Sequence, residues 1–390
     1  MSELTARLTD RLRAQKSGRG TDAYLVIPPG DIVSLSVGDP DLPPPPHVIR
    51  AAHEALDAGR TRYTHWQGLR ELRVALADKL RRENALDYSP DEVIVTVGAE
   101  EALYVALTAL IGPGDDVLMA DPYFHALPKL VTLAGGTPVF VPVRETDEFA
   151  LRADEVERRV SPRAKILIVV TPNNPTGAVL DADALEALAD VARRRNLIVI
   201  SDEIYERMLY DGARHLSIAG FPGMRERTIV INGFSKSYSM TGFRLGYLAA
   251  PAEMVEALQA LKEPLSICTT SVSQWAGLAA LTGPQDTAER VKTYDERRRV
   301  LMDGLTAMGI PFVRPRGGFF LIANISTTGL GSLEFCRRLL AEAQVAVFPG
   351  ALTSSRDDAI RVSWLVPVDR LREGLRRMQQ FVERLRAGAR

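Results

Sequence analysis

Short apolar runs alternate with longer amphipathic segments through the middle of the chain. From about residue 90, runs of β-branched and aliphatic residues are separated by stretches in which apolar side chains recur at helical spacing. The runs are EVIVTVG, DDVLMADP, TPVFVPV, AKILIVVTP, NLIVISDE, TIVINGFSK and RLGYLAAP. Buried strands joined by amphipathic helices predict an α/β fold with a mostly parallel sheet that is covered on both faces.

The pattern changes on both sides of this region. Before it lies VGDPDLPPPPHV, whose prolines exclude a helix or a central strand and predict an extended crossing segment. After about residue 284 come a long charged helix, the strand candidates GGFFLIANI, QVAVFPG and AIRVSWLV, and a final basic amphipathic helix. We therefore predict a large domain over residues 48–283 and a smaller α+β domain formed by residues 1–47 and 284–390.

Composition and charge exclude several classes of partner. The 390 residues are 46% hydrophobic, and 48 basic residues balance 49 acidic ones, so no general electrostatic field favours nucleic acid or anionic lipid. The start, MSELTARLTDRLRAQ, lacks the apolar core of a secretory signal. No run approaches the roughly 18 consecutive apolar residues of a membrane span. We expect a cytoplasmic protein without nucleic-acid or membrane partners.

Cysteines and histidines give no sign of a metal site. Cys268 and Cys336 have no partners at the spacing of metal ligands or redox motifs. The five histidines also lack ligand spacing and are expected to be structural or on the surface, with His65 and His125 as the candidates for a place near a cleft. Trp66 either lines a substrate pocket or packs.

Polar residues that a core does not need follow several of the strands. Ligands collect beyond the carboxyl ends of such strands. Gly98-Ala99-Glu100 opens a helix, whose free N–H groups and positive dipole end form an anion site. The turn TPNNPTG, residues 171–177, is rich in hydrogen-bonding groups. Asp202 ends a buried strand, where an unpaired charge is costly, and therefore needs a partner.

The stretch NGFSKSYSMTGFRLGY adds two cations to this set. Lys236 comes just past an apolar strand, and Arg244 follows at the start of the next one. A carboxylate, a lysine, an arginine and a helix N-terminus together suit pyridoxal phosphate. The lysine forms the Schiff base, the carboxylate keeps the pyridinium protonated, and the arginine and helix N–H groups take the phosphate.

Three motifs carry a family resemblance. NGFSKSYSMTGFRLGY, TPNNPTGAV and SDEIYE, in this order and spacing, resemble the class I/II aminotransferases of the fold-type I pyridoxal phosphate enzymes, particularly the bacterial aspartate/prephenate branch. The resemblance extends from VGDPD near residue 37 to RVSWLV near residue 366. It implies a homodimer with shared active sites that moves an amino group from an L-amino acid to a 2-oxo acid by ping-pong half-reactions.

The resemblance assigns the catalytic roles by position. Lys236 matches the lysine that binds the cofactor and, once released, moves the substrate proton. Asp202 matches the partner of the ring nitrogen. Asn174 and Tyr205 match the residues that hydrogen-bond the phenolic oxygen of the cofactor and thereby lower the pKa of the imine.

Other matches concern binding. Phe124 occupies the place of the aromatic residue that stacks on the cofactor ring. Ala99 and Glu100 offer backbone amides to the phosphate, and Arg244 offers its side chain. Tyr63, in RYTHWQG, matches the tyrosine that binds the cofactor phosphate in the neighbouring subunit.

Substrate binding falls to a third group. Arg361, in IRVSW, matches the arginine that grips the substrate α-carboxylate through two hydrogen bonds. Gly38 would help to hold that carboxylate through its backbone, and Asn174 also contacts the substrate.

Two positions depart from the family pattern. Gly233 stands where a serine or threonine often binds the phosphate, so Ser235 is the substitute phosphate ligand. Glu100 stands where relatives specific for acidic amino acids often carry a lysine. A carboxylate there would repel an acidic side chain, so we expect a neutral or basic donor rather than aspartate.

Two alternatives remain open at this point. One is a carbon–sulfur β-lyase or another pyridoxal phosphate reaction on the same fold. Tyr205 in SDEIYE slightly favours transamination, because many lyases of this kind have histidine at the matching position. The other is a non-catalytic sensor domain of the kind fused to transcription regulators, which the lack of a DNA-binding module disfavours.

Overall fold

The computed structural model of the protein describes residues 30–388. The stretch MSELTARLTDRLRAQ and the rest of residues 1–29 of the predicted small domain lie outside the described residues. None of the described helices combines the length and the apolar character that crossing a bilayer requires.

Helices and strands alternate along the chain, with short 3₁₀ turns at several connections. In order they are β1 (Val33–Ser34), α1 (Pro46–Asp57), α2 (Arg70–Asn84), β2 (Val93–Thr96), α3 (Gly98–Leu110), β3 (Asp116–Asp121), α4 (Leu127–Ala134), β4 (Thr137–Pro142), α5 (Ala153–Glu157), β5 (Ala164–Val170), α6 (Ala182–Arg194), β6 (Ile198–Asp202), β7 (Thr228–Gly233), β8 (Gly246–Ala249), α7 (Ala252–Ser266), α8 (Ser271–Thr282), α9 (Thr287–Ala307), β9 (Phe320–Asn324), α10 (Ser332–Ala343), β10 (Val345–Ala346), β11 (Phe348–Pro349), β12 (Ala359–Ser363) and α11 (Val368–Gly388).

All seven predicted apolar runs are strands of one sheet. Its order is β2-β8-β7-β6-β5-β3-β4. Strand β8 runs antiparallel to both of its neighbours, and the other pairs are parallel. The mostly parallel sheet is thus confirmed, with β8 as its reversed strand.

Apolar side chains cover both faces of this sheet, as successive residues of a strand point to opposite sides. Val117 packs in the core under α3, α4 and α7, whereas its neighbour Leu118 packs in the core under α6. Ile166 and Leu167 divide between the same two cores. Burial on both faces explains why these strands appear in the sequence as continuous apolar runs.

A second, smaller sheet follows later in the chain. Strands β11, β12 and β9 form an antiparallel sheet, and β1 pairs in parallel with β10. A separate core joins these strands to α9, α10 and α11, through residues that include Leu301, Phe320, Leu339, Val362 and Leu371. The division of the chain at residues 47/48 and 283/284 stays a prediction.

Candidate active site

A cavity of about 340 Å³ opens beyond the carboxyl ends of β5, β6 and β7. Its volume lies at the lower end of the range of about 300–1,000 Å³ that is typical of ligand sites. The predicted site residues that line it are Gly38, Ala99, Glu100, Phe124, Asn174, Asp202, Tyr205, Ser235, Lys236, Arg244 and Arg361. The structure therefore brings together, in one chain, all of the predicted set except Tyr63.

Lys236 lies just beyond the end of β7, with its amine in the cavity. Its Nζ donates a hydrogen bond of 2.6 Å to the carbonyl oxygen of Gly38. Burial, opposed by Asp39 and aided by Arg244 and Arg361, lowers the pKa of Lys236 to about 8. An amine with a pKa near 8 is about one-tenth unprotonated at pH 7, far more than an ordinary lysine, and only the unprotonated form acts as a nucleophile or a base.

Asp202 ends β6 as a buried carboxylate. Its Oδ1 accepts a hydrogen bond of 3.2 Å from the backbone N–H of Ile204. Burial raises the pKa of Asp202 to about 6, an effect that this hydrogen bond opposes and Glu203 reinforces. The groups in the described chain that act on this pKa include no cation. A buried carboxylate that faces a cavity without a counter-ion suits a cationic ligand.

Arg361 presents the opposite situation, a buried cation without an anion. It is 3% exposed, and its Cζ lies 4.3 Å and 4.4 Å from the ring centroids of Phe320 and Phe348. Burial lowers its pKa to about 10, and no carboxylate in the described chain offsets this effect. Since an uncompensated buried charge is costly, Arg361 is positioned to receive a carboxylate ligand.

Hydrogen bonds orient Arg361 within the cavity wall. Its Nη2 donates to the carbonyl oxygen of Ser36 at 2.7 Å, and its Nη1 donates to Oδ1 of Asn174 at 3.3 Å. Nδ2 of Asn174 in turn donates to the hydroxyl of Tyr205 at 3.4 Å. Burial raises the pKa of Tyr205 above its ordinary value, with Arg361 opposing the shift, so the hydroxyl keeps its proton. These three residues form one chain of hydrogen bonds along the cavity.

The anion end of the cavity is the beginning of α3. No side chain caps this helix at Val97, so the first N–H groups, including those of Ala99 and Glu100, have no capping partner there. The guanidinium of Arg244 lies against it, since a β-carbon added to Gly98 would be 2.7 Å from Nη2 of Arg244. A helix N-terminus and a guanidinium at one place form a binding site for a phosphate group.

Glycines allow the main chains to pack closely at this end of the site. A β-carbon on Gly246 of β8 would lie 2.5 Å from the carbonyl carbon of Gly98. A β-carbon on Gly233 of β7 would lie 3.0 Å from the Cα of Gly246 and 3.0 Å from the oxygen of Leu245. A side chain at Gly233, where the resemblance suggests serine or threonine, would require these neighbours to shift by a few tenths of an ångström.

The remaining candidates lie in different places. Tyr63 is 79% exposed and does not line the cavity of its own chain. His65 and Trp66 are also absent from the cavity wall; their rings contact edge to face at 5.1 Å. His125 does line the cavity. The lining residues that the sequence interpretation missed are Val37, Asp39, Leu103, Val170, Ile204, Thr241 and Phe320.

The donor set fits pyridoxal phosphate. Asp202 offers an anion to a ring nitrogen, Lys236 an amine to an aldehyde, and the start of α3 with Arg244 a cradle for a phosphate. Asn174 and Tyr205 offer hydrogen-bonding groups between these points.

Comparison with known proteins agrees with this chemistry. Residues 30–378 match the family model described as aminotransferase class I and II. The chain belongs to this aminotransferase family. The family depends on pyridoxal phosphate, so the predicted fold type, activity and cofactor are confirmed.

Individual relatives carry several substrate names. The aminotransferase is 42% identical over 357 residues to an aspartate aminotransferase of Pyrococcus abyssi, covering 90% of this chain and 92% of that protein. It is 39% identical over 360 residues to an aspartate/prephenate aminotransferase of Thermus thermophilus, covering 91% and 92%. The crystal structure of an aromatic aminotransferase from Pyrococcus horikoshii superposes with a TM-score of 0.90 at 40% identity, covering 96% and 98%.

Proposed function

We propose that this aminotransferase takes its amino group from a neutral or basic L-amino acid rather than from aspartate, with Lys236, Asp202 and Tyr205 as its catalytic residues. The observation that carries the proposal is the convergence of Lys236, Asp202 and Arg361 on one cavity. Asp202 and Arg361 are buried and lack a counter-ion among the described residues, and the amine of Lys236 has a lowered pKa.

Substrate binding begins at Arg361. Its guanidinium, stacked between Phe320 and Phe348, can hold the α-carboxylate of an amino acid through two parallel hydrogen bonds. Asn174, bonded to Arg361, and Gly38 lie in the same part of the cavity wall. Binding at a fixed carboxylate places the remainder of the amino acid within the cavity that Lys236 also lines.

The proton chemistry belongs to Lys236. Pyridoxal phosphate, when bound, supplies an electron sink that makes the Cα proton of the amino acid acidic. Lys236, with its lowered pKa, would move this proton between Cα of the amino acid and C4′ of the cofactor, in opposite directions in the two half-reactions. Asp202 would hold a proton on the ring nitrogen, and Tyr205 and Asn174 would donate hydrogen bonds to the phenolic oxygen. Phe124, Ser235, Ala99, Glu100 and Arg244 complete the cofactor site.

The lowered pKa of Lys236 predicts how the cofactor-free protein takes up pyridoxal phosphate. Only the unprotonated amine attacks an aldehyde, so the uptake rate should rise about tenfold per pH unit at acidic pH. It should then level off above a pH of about 8. Stopped-flow absorbance across this range measures the rate. A rate that keeps rising to a pH of about 10.4, the ordinary value for lysine, would contradict the assigned pKa.

The charges of the cavity support the proposed donor class. Its cations among the described residues are Lys236, Arg244 and Arg361, and each already has a role with the cofactor or the α-carboxylate. No further cation of the described chain lines the cavity to receive a second carboxylate, whereas Asp39 and Glu100 add negative charge. Aspartate or glutamate would therefore meet repulsion that a neutral side chain avoids.

Replacement of Glu100 tests this donor preference. We expect Glu100→Lys to raise kcat/KM for aspartate about tenfold or more relative to alanine, because the change removes a repulsive charge and adds an attractive one. A panel of amino donors, assayed through the absorbance of the cofactor, measures the ratio. Glu186→Lys makes the same charge change at an exposed site on α6 and should leave the ratio unaltered. An unaltered ratio in Glu100→Lys would remove the basis for excluding acidic donors.

Two wider features are part of the proposal. The exposure of Tyr63 agrees with a homodimer in which this side chain reaches the phosphate of the neighbouring subunit. The 2-oxo acid acceptor and the amino donor are small molecules, and the cytoplasm stays the predicted location.

A further inference from the structure

His125 is a polar side chain in the cavity wall without a partner. It follows Phe124 in the connection between β3 and α4. Its Nδ1 is enclosed by protein and makes no hydrogen bond with a described residue. Because the ring lines the cavity, the atom that a bound molecule can approach is Nε2, which also has no hydrogen-bond partner among the described residues. Polar groups that a ligand covers are nearly always hydrogen-bonded, and leaving one unpaired costs about 1–3 kcal/mol.

The surroundings of His125 keep its ring neutral. Burial, together with the charges of Arg361 and Lys129, lowers the pKa of His125 to about 4. The ring packs edge to face against Phe124, with centroids 4.7 Å apart, and lies 5.9 Å from the ring of Phe348. A neutral imidazole offers one hydrogen-bond donor and one acceptor and no net charge.

The same neighbours indicate which part of a substrate His125 meets. The ring of Phe348 packs against both His125 and the guanidinium of Arg361, whose Cζ lies 4.4 Å from the ring centroid. His125 therefore lies next to the group that binds the α-carboxylate but is distinct from it. Arg361 already provides the charged group for the α-carboxylate. Phe124 lines the cavity beside the imidazole and gives this part of the wall an apolar surface next to the ring, whereas Phe348 packs against the imidazole without lining the cavity.

We propose that His125 is a specificity-determining residue that hydrogen-bonds an uncharged polar group on the side chain of the amino donor. The inference rests on the proposed preference for non-acidic donors and narrows it to side chains with a hydroxyl or amide group. A basic side chain is disfavoured at this point, since Arg361 and Lys129 already act on His125 as neighbouring cations.

Matched donor pairs test the proposal in the holoenzyme. Tyrosine and phenylalanine differ by one hydroxyl, and glutamine and methionine differ mainly by an amide. The relevant pair is the one in which the wild-type enzyme favours the polar member. In that pair we expect His125→Leu to lower kcat/KM for the polar member about tenfold relative to its apolar counterpart, because one hydrogen bond is lost. His125→Asn keeps a donor and an acceptor and should recover part of the ratio. His53→Phe, at an exposed histidine of α1, should leave both ratios unaltered.

The outcomes separate this inference from the proposed function. Equal losses for both members of each pair would assign His125 a structural role, and unaltered ratios would assign it none; either result overturns the inference. The inference also fails if the wild-type enzyme favours the polar member in neither pair. A wild-type enzyme that strongly prefers aspartate to all four donors would refute the donor class itself, and with it the inference.

Discussion

Lys236→Ala is expected to lower kcat at least about 10³-fold with every amino donor, because the amine serves both as the nucleophile for the cofactor and as the base for the substrate proton. No other lysine of the described chain lines the cavity. The variant should also release pyridoxal phosphate on dialysis, since only non-covalent contacts then hold it. Steady-state rates, and absorbance before and after dialysis, measure the two effects.

An exposed lysine provides the control for this variant. Lys165, at the start of β5, pairs with Asp115 at 3.1 Å and has a side chain that is 44% exposed. Lys165→Ala should retain wild-type turnover and hold its cofactor through dialysis. If Lys236→Ala kept turnover within about tenfold of the wild type, less than the smallest effect usual for a general base, the role of Lys236 would be refuted.

Lys79→Met is expected to cost about 3–5 kcal/mol of unfolding free energy, because it removes the cation that pairs directly with the buried carboxylate of Glu206. Lys79 lies in α2 and is 3% exposed. Its Nζ makes a close ion pair with Glu206 and donates to Oδ1 of Asn84 at 2.8 Å. Nδ2 of Asn84 also donates to Oε2 of Glu206 at 2.7 Å. Urea unfolding of the wild type and the variant measures the loss.

A double variant separates the lost pair from the lost packing. In Lys79→Met with Glu206→Leu, both charges are replaced by apolar groups, and most of the stability should return. A loss below about 1 kcal/mol in the single variant, the usual value of an exposed ion pair, would show that this pair behaves like one at the surface.

The same pair predicts a response to acid. Burial raises the pKa of Glu206, but Lys79 and His215 outweigh burial and bring it to about 2. The pKa in the folded state is thus below the value of about 4.3 in the unfolded chain. The contribution of Glu206 to stability is present above a pH of about 4.3 and is lost as the pH falls toward the folded value. In Lys79→Met the pKa of Glu206 in the folded state rises, so this acid-dependent loss should shrink, and it should reverse if burial brings that pKa above about 4.3.

The buried charges around Glu206 lie next to active-site residues in the sequence. Glu203, Glu206 and His215 hold their ligand atoms within 4.8 Å of one another, and Lys79 supplies a positive charge there. Glu206 follows Tyr205 directly, and Glu203 follows Asp202. The ion pair with α2 therefore anchors the turn that carries two catalytic side chains.

The sheet and much of the site could be predicted from the sequence because their signals are local. A strand buried on both faces must be a continuous apolar run, and all seven such runs are strands. Polar residues directly after these runs, such as Asn174, Asp202 and Lys236, meet because the carboxyl ends of parallel strands share one edge. The reversed direction of β8 has no such signal, since a buried strand has the same composition in either direction.

The residues that were missed reach the cavity through long-range packing. The carbonyl oxygen of Gly38 meets Lys236 across 198 positions, and that of Ser36 meets Arg361 across 325. Val37 lies between Ser36 and Gly38, and Phe320 of β9 packs against Arg361; both look in the sequence like ordinary core residues. His125 has no ligand spacing, and only the fold shows that it faces the cavity.

The glycines at the phosphate end of the cavity have a consequence for how such an enzyme diverges. An added methyl group at Gly246 of β8 would collide with the main chain of Gly98 at the start of α3, and one at Gly98 would meet the guanidinium of Arg244. The main chain itself therefore leaves little room for substitution at the phosphate end of the cavity. New donor preferences must arise instead at positions such as His125, where a side chain can be exchanged while the main chain stays in place.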